Sequence, residues 1–201
     1  MNVVLVHGIF DNGAIFKRLV RALEDDGHRC WAPSLQPSDG RNGIADLAEK
    51  LKVYIEQNVD AEAPFAIVGF SMGCIVARHY MQVLGGFRRT KVFFAISGPH
   101  RGTFSAYLYF GRGAKDMRPK SALLNNLHDT EACLRGIAVF AYWTSFDTTI
   151  IPASSCNWKL AHQSFNARVL LHRFMPGNQS VCVDIVRRMH LQVSSGIDEG
   201  D

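Results

Sequence analysis

The sequence lacks the patterns that mark disulfide-rich, metal-binding and nucleotide-binding proteins. Its five cysteines are an odd number and include no C-x-x-C pair, so their spacing fits neither a zinc site nor a disulfide framework. We expect free thiols in a reducing compartment. The patterns G-x-x-x-x-G-K-[ST], G-x-G-x-x-G and H-E-x-x-H are also missing. We therefore predict no metal and no cofactor.

Long hydrophobic runs and a strong charge of either sign are missing too. No apolar stretch approaches the roughly 20 residues that span a bilayer, and Met1–Val6 lacks the basic and apolar regions of a signal peptide. We thus expect a cytoplasmic protein without a transmembrane segment. Basic residues exceed acidic ones by 22 to 18, an excess too small to indicate a nucleic-acid partner.

The small positive excess is concentrated in one stretch of the chain. Between Pro99 and Lys120 there are five basic residues and one acidic residue. We expect a solvated, salt-screened surface there. Attraction of an anionic lipid or an acidic carrier is the alternative.

The rest of the composition is that of a globular protein, with 47% hydrophobic and 20% charged residues. Its 201 residues fit a single domain, 1–201. Apolar runs alternate with stretches that have helical spacing, which predicts an α/β fold. The expected sheet is mostly parallel, has about six strands and carries helices on both faces. The predicted strands are Val3–Val6, His28–Pro33, Phe65–Gly69, Lys91–Ser97, Ile137–Trp143 and Ala167–Leu171.

Two segments depart from this alternation. Residues 99–132 contain several glycines and aromatic residues, and we interpret them as a short cap-like insertion with one or two short helices. We expect most of its large apolar residues to pack onto the sheet, although they are alternatively candidates for an acyl-binding site. They are Phe104, Tyr107, Tyr109, Phe110, Leu123, Leu124 and Leu127. The polar tail, 194–201, is expected to be frayed.

One motif carries chemistry: Gly69-Phe70-Ser71-Met72-Gly73, a G-x-S-x-G pentapeptide between a predicted strand and a predicted helix. That context is typical of a nucleophile elbow, a turn so tight that its flanking positions tolerate no side chain. The serine hydroxyl is then lifted above the sheet at the positive end of the helix. Ser71 is therefore the candidate nucleophile.

A serine nucleophile needs a base, and the base needs an orienting carboxylate. In this architecture the chain order is serine, acid, histidine, with the acid following a strand. Asp147 lies four residues beyond the strand that ends at Trp143. Asp116 and Asp129 are weaker candidates because they follow no predicted strand.

His172 is the candidate base because it comes directly after the last predicted strand and before the last predicted helix. His190 is the rival, although its position at a helix C-terminus favours a contact with the last carbonyls. His162 is a third, weaker candidate.

An oxyanion intermediate needs preformed N–H donors. Met72, directly after the nucleophile, supplies one backbone N–H. We expect the other from the loop after the first strand, with Ile9 first and Phe10 second. His7 in that loop is predicted to be structural.

These motifs resemble those of the α/β-hydrolase superfamily, and more narrowly of small bacterial triacylglycerol lipase/esterase-like proteins. The resemblance rests on residues 3–8, on the pentapeptide, on Ser97–Thr103 and on the segments Phe146–Pro152 and 172–175. It implies a minimal α/β-hydrolase fold and a serine hydrolase that cleaves carboxylic esters.

The resemblance further implies a small-molecule acyl ester or lipid as substrate, and Phe10, Phe104 and Tyr107 are candidate contacts for it. An acyltransferase or a thioesterase using the same three residues is the alternative. A non-catalytic binding module is the third possibility.

Overall fold

Six parallel strands form one central sheet. The computed structural model describes residues 1–195. The strands are β1 (Asn2–Val6), β2 (Arg29–Trp31), β3 (Phe65–Phe70), β4 (Thr90–Ile96), β5 (Ala138–Trp143) and β6 (Gln163–Asn166). Their order across the sheet is β2-β1-β3-β4-β5-β6, and every neighbouring pair is parallel. The predicted α/β class and the count of six strands are confirmed, and the sheet is wholly rather than mostly parallel.

Helices cover both faces of this sheet. They are α1 (Lys17–Asp25), α2 (Ile44–Asn58), α3 (Met72–Gln82), α4 (Arg112–Asp116), α5 (Ala122–Asp129) and α6 (Gln179–Ser195). Side chains on a strand alternate between the faces, so Val4 and Val6 of β1 pack with α2, α3 and α5. Val3 and Leu5 pack with α1 and α6 on the other face. The central strands are therefore apolar throughout, as expected for a sheet buried on both sides.

The last strand lies earlier in the chain than the sequence predicts. β6 is Gln163–Asn166, and the predicted strand at Ala167–Leu171 is wrong. The pairing with β5 ends where the Ala167 N–H donates to the Trp143 carbonyl, at 2.8 Å. Arg168 then has a φ of 49°, which turns the chain out of the extended conformation. β6 is an edge strand that is held mainly by backbone hydrogen bonds to β5. Its residues are mostly polar and exposed, so no apolar run marks it in the sequence.

The insertion at 99–132 contains a 3-10 helix, Phe104–Leu108, followed by α4 and α5. Leu124 and Leu127 are buried against the sheet, as predicted. Phe104, Tyr107, Tyr109 and Phe110 are exposed instead, and the expectation that most of the apolar residues pack inward is wrong for these aromatic ones. Phe104 and Tyr107 lie in the 3-10 helix, and Tyr109 and Phe110 directly follow it. The side chains of this segment face solvent beyond the edge of the sheet.

The last helix includes the start of the predicted frayed tail. Ser194 and Ser195 complete α6, and the remainder of the predicted frayed tail, 196–201, lies outside the described residues. Within residues 1–195, no helix is both long and apolar enough to cross a membrane. All five cysteines are free.

Candidate active site

Ser71 occupies a strained turn between β3 and α3. Its φ and ψ are 53° and −121°, a backbone conformation that residues other than glycine rarely adopt. The Ser71 N–H donates to the Ile96 carbonyl of β4 at 2.8 Å, and the Ser71 carbonyl accepts from the Cys74 N–H at 3.0 Å. The surrounding sheet and helix therefore hold the serine in this conformation.

Close packing explains the glycines around Ser71. A Cβ on Gly73 would lie 2.0 Å from the Val6 carbonyl oxygen, and one on Gly69 would lie 2.8 Å from the Cys74 Cα. Both contacts are with backbone, which cannot move aside. A Cβ on Gly8 would lie 3.1 Å from the Ser71 Cβ, so the loop after β1 passes directly beside the serine.

Asp147 and His172 form a buried pair at the same end of the sheet. The His172 Nδ1–H donates to Asp147 Oδ2 at 2.7 Å. Asp147 Oδ1 accepts from the N–H groups of Thr149 and Ile150, each at 2.9 Å. The three hydrogen bonds fix the carboxylate, and the carboxylate fixes which imidazole nitrogen carries the proton.

The imidazole is also held from the side of the serine. Its ring packs against Phe70, the residue before Ser71, with a centroid distance of 4.9 Å. Within residues 1–195, the buried His172 Nε2 atom has no hydrogen-bond partner. Arg173 forms an ion pair with Asp11 at 3.1 Å, which ties the histidine segment to the loop after β1. Phe70 was not singled out from the sequence, where it is only the variable second position of the motif.

The backbone around Ser71 offers N–H donors for an oxyanion. Met72 is the first residue of α3, and N–H groups in a first helical turn have no partner within their own helix. The Ile9 N–H makes no hydrogen bond within the described part of the chain. Phe10, the second candidate, donates its N–H to the Ser38 carbonyl at 2.9 Å, so it is not available as a donor here.

His7 has a structural arrangement. Its Nδ1–H donates to the Gly8 carbonyl at 2.8 Å, and its Nε2 accepts from the Leu35 N–H at 2.9 Å. Both ring nitrogens are occupied by backbone groups. The imidazole therefore shapes the loop that carries Ile9.

The loop after β4 clamps the segment that carries Asp147, which the sequence did not reveal. The Phe104 N–H donates to the Ile151 carbonyl, and the Ile151 N–H donates to Thr103 Oγ1, both at 2.8 Å. Ser155 Oγ accepts from the Arg101 N–H at 3.1 Å and donates to the Gly102 carbonyl at 2.7 Å. The sequence signal for this loop was the stretch Ser97–Thr103, which contributes to the family resemblance but suggested no role for these residues.

A second feature missed from the sequence is a buried arginine behind this loop. Arg78 of α3 is 1% exposed and pairs with Glu131 at 2.8 Å. Its guanidinium lies 4.4 Å from the centre of the Trp158 ring, which also stacks on His100 at 4.3 Å. Burial lowers the pKa of Arg78 to about 10, while Glu131 acts to raise it.

His100 is neutral in this environment. Burial holds its pKa well below the usual value, and the charges of Arg78 and Arg101 act in the same direction. Both ring nitrogens are buried without a hydrogen-bond partner in the described chain. His100 therefore packs as an aromatic residue.

The other acid and histidine candidates lie elsewhere. Asp116 accepts from the Ile44 N–H at 2.9 Å, and Asp129 is an exposed residue at the end of α5. His162 accepts from the Val139 N–H at 3.1 Å. His190 pairs with Asp26 at 3.2 Å, on the face formed by α1 and α6. The structure brings none of the four to the Asp147–His172 pair.

Exposed apolar side chains surround the candidate site, and we call them the site rim. They lie in the loop after β1, in the insertion and in the segments that carry Asp147 and His172. The site rim consists of Phe10, Phe104, Tyr107, Leu108, Tyr109, Phe110, Phe146, Ile151, Leu170, Leu171 and Phe174. Contacts between segments hold it together, such as the Phe10 and Tyr109 rings at 5.9 Å.

A strained serine between a parallel strand and a helix, at the same sheet edge as an Asp–His pair, is the arrangement of an α/β hydrolase. The chain belongs to the alpha/beta hydrolase family, whose model matches residues 3–178. No curated protein matches the sequence.

Solved structures with the same fold include several hydrolases. The Bacillus licheniformis lipase BlEst2 is 14% identical, with a TM-score of 0.69 over 92% of this chain and 90% of that one. Polyneuridine aldehyde esterase is 15% identical, with a TM-score of 0.66 over 94% and 98%. A pyrethroid hydrolase from Sphingobium faniae JZ-2 is 14% identical, with a TM-score of 0.61 over 93% and 96%. At sequence identities of 14–15%, the similarity to these structures shows the fold alone.

Proposed function

We propose that the protein is a serine hydrolase that cleaves carboxylic esters through an acyl-enzyme on Ser71. The observation that carries the proposal is the buried Asp147–His172 hydrogen bond of 2.7 Å at the sheet edge where the strained Ser71 lies. The fold and its lipase and esterase neighbours support a hydrolase of the ester type.

In the first half of the reaction Ser71 Oγ attacks the ester carbonyl carbon. His172 Nε2 takes the hydroxyl proton, and Asp147 stabilises the resulting imidazolium through Nδ1. The tetrahedral intermediate then collapses, the bond to the alkoxy oxygen breaks, and His172 gives its proton to the departing alcohol. Ser71 is left as an acyl ester.

The second half repeats these steps with water. His172 Nε2 accepts a proton from the attacking water, the second tetrahedral intermediate collapses, and the proton returns to Ser71 Oγ as the carboxylic acid leaves. In both halves the negative oxygen lies at the N–H groups of Met72 and Ile9. Loss of one such donor typically lowers kcat by about 10²–10³.

The substrate in this proposal is a small acyl ester or a lipid ester. Phe10, Phe104 and Tyr107 are exposed members of the site rim, and Phe104 and Tyr107 stack with ring centres 6.5 Å apart. Their apolar surfaces suit an acyl chain that enters between the insertion and the loop after β1.

Hydrolysis of p-nitrophenyl esters of increasing acyl length tests the proposal. Ser71→Ala should lower kcat by at least about 10⁴, and a fluorophosphonate should label the wild type at Ser71. Ser97→Ala is a matched control because Ser97 is also buried at a strand end, with a φ of 49°. Its hydroxyl has no partner in the described chain, so kcat should stay within a few-fold of the wild type.

Retained turnover in Ser71→Ala would contradict the proposal. Transfer of the acyl group to an added alcohol or thiol in preference to water would replace hydrolysis by acyl transfer, with the same three residues. Absence of both turnover and labelling in the wild type would contradict a catalytic role for Ser71.

A further inference from the structure

Large exposed hydrophobic side chains are concentrated at one edge of the molecule. Eleven of the fifteen in the described chain belong to the site rim, and these include all seven exposed aromatic residues. The other four are Val53, Val83, Val183 and Leu191, which lie on or beside helices. Exposed apolar surface on this scale marks an interaction site rather than ordinary surface variation.

Two residues of the rim project from the molecule. Phe110 is 99% exposed and Leu108 is 79% exposed. A side chain that keeps nearly all of its surface in contact with solvent packs against nothing in its own fold. Such a shape suits insertion into a soft apolar medium, because a projecting ring needs no preformed pocket in its partner.

Positive charge accompanies these projecting residues. Arg112 and Lys115 of α4 lie two and five residues after Phe110, and the Arg118 guanidinium lies 4.6 Å from the centre of the Tyr107 ring. Within residues 1–195, none of these three forms an ion pair.

The acidic groups nearby cancel only part of this charge. Asp11 is already paired with Arg173 at 3.1 Å, and Asp116, whose carboxylate accepts the Ile44 N–H at 2.9 Å, offsets one of the three positive charges. Asp147 is buried in its pair with His172. The surface around Leu108 and Phe110 is therefore both apolar and cationic.

We propose that the protein docks on an anionic lipid bilayer through the site rim, with Leu108 and Phe110 inserted and Arg112, Lys115 and Arg118 at the headgroups. Apolar burial and attraction to anionic lipid are the two contributions that hold a peripheral protein on a membrane. Docked in this way, the edge of the sheet that carries Ser71 faces the lipid. The docking itself does not depend on the proposed ester hydrolysis.

Flotation with vesicles tests the docking on the full chain. Ser71→Ala is used throughout, so that lipid turnover cannot alter the result. The protein should bind vesicles of equal parts phosphatidylglycerol and phosphatidylcholine. Its partition coefficient should be at least tenfold lower for vesicles of phosphatidylcholine alone. Raising the salt to about 1 M, where the Debye length is about 3 Å, should weaken the binding.

Paired variants separate the rim from the rest of the surface. Leu108→Ser with Phe110→Ser should lower the partition coefficient at least tenfold, whereas Val53→Ser with Val83→Ser should leave it unchanged. Arg112→Gln with Lys115→Gln should also lower it about tenfold, whereas Lys52→Gln with Lys91→Gln should lower it less than twofold. Seven of these eight side chains are exposed and Lys52 is half-buried, so the melting temperatures should match within a few degrees.

Three results would overturn the docking proposal. The first is no binding to the anionic vesicles, and the second is equal loss in the rim variants and their controls. The third is concentration-dependent dimerisation without lipid that the rim variants abolish, because the rim would then be covered by a second copy. None of these results bears on ester turnover, so the two proposals fail separately.

Discussion

The two edges of the sheet differ in which residues carry backbone strain. At the amino edge, the helix-to-strand turns use Gly27 and Gly85 for their positive φ angles. Five residues other than glycine also have positive φ. Four of them lie within four residues of the carboxyl end of a strand, namely Phe10, Ser71, Ser97 and Arg168, and the fifth, Lys120, lies in the insertion. A side chain in this conformation costs about 1–3 kcal/mol and persists only where the surrounding structure enforces it. The carboxyl edge therefore holds side chains in this conformation beside glycines such as Gly40 and Gly102, whereas the turns at the amino edge use glycine.

The same division holds for polar groups and apolar surface. The carboxyl edge contains the Asp147–His172 pair and the site rim, whereas the helical flanks carry few exposed large hydrophobics. Stability and reactivity are thus expected to separate in space. Matched substitutions, one at each region, test that separation.

Two buried aspartates give the largest expected contrast. Asp147→Asn should lower kcat about 10⁴-fold with little loss of stability, because an amide no longer fixes the His172 tautomer. Asp184 on α6 instead accepts from Tyr142, Arg187 and Arg188. Asp184→Asn should lower the free energy of unfolding by about 1–2 kcal/mol and leave kcat unchanged. Ester kinetics and urea unfolding of both variants measure the contrast; equal kcat values would break it.

Two glycines give the next contrast. Gly73→Ala would place a Cβ 2.0 Å from the Val6 carbonyl oxygen, whereas Gly136→Ala meets nothing within 4 Å. We expect Gly73→Ala to displace the elbow, with at least a 10²-fold loss of kcat and about 3 kcal/mol of stability. Gly136→Ala should leave both kcat and the free energy of unfolding nearly unchanged. A crystal structure or thermal unfolding of Gly73→Ala checks the displacement, and wild-type behaviour would contradict the predicted contact.

Two buried threonines give the smallest contrast. Thr103 Oγ1 accepts from the Ile151 N–H beside the Asp147 segment, and Thr90 Oγ1 donates to the Gly86 carbonyl at the amino edge. Both Thr→Val variants should lose about 1 kcal/mol of stability. Only Thr103→Val should lower kcat, about tenfold, because Asp147 is then held less firmly. The measurement is of kcat and KM separately, at matched folded fractions of the two variants. An equal fall of kcat in both variants would show that Thr103 has no positioning role.

The sequence was informative where a local pattern reflects local structure. The apolar runs of β1, β3 and β4 predict buried parallel strands, and the spacing of α3 predicts its inward face. The pentapeptide predicts a strained Ser71 because only glycines fit beside it. Chain order also placed Asp147 and His172 together, although the last predicted strand was wrong. Their catalytic roles remain predictions for the variants above.

The sequence was uninformative where the structure depends on contacts between distant segments. The hydrogen bonds between the loop after β4 and the segment that carries Asp147 join residues about fifty positions apart. The ion pair between Arg78 and Glu131 spans a similar separation. No periodicity marks such pairs, because each partner is an ordinary polar residue until the sheet brings them together. The exposed aromatics of the insertion were misassigned for the same reason, since composition cannot tell a buried ring from one above an edge.

The sequence by itself therefore determined the α/β class, the tight turn at Ser71 and the choice of Ser71 as the candidate nucleophile, because each follows from short-range sterics and the burial of apolar runs. Only the tertiary structure decided which residues support Asp147, which faces of the insertion are buried and where the site rim lies. These features follow from the parallel strand order, which brings the carboxyl ends of separate strands to a single edge.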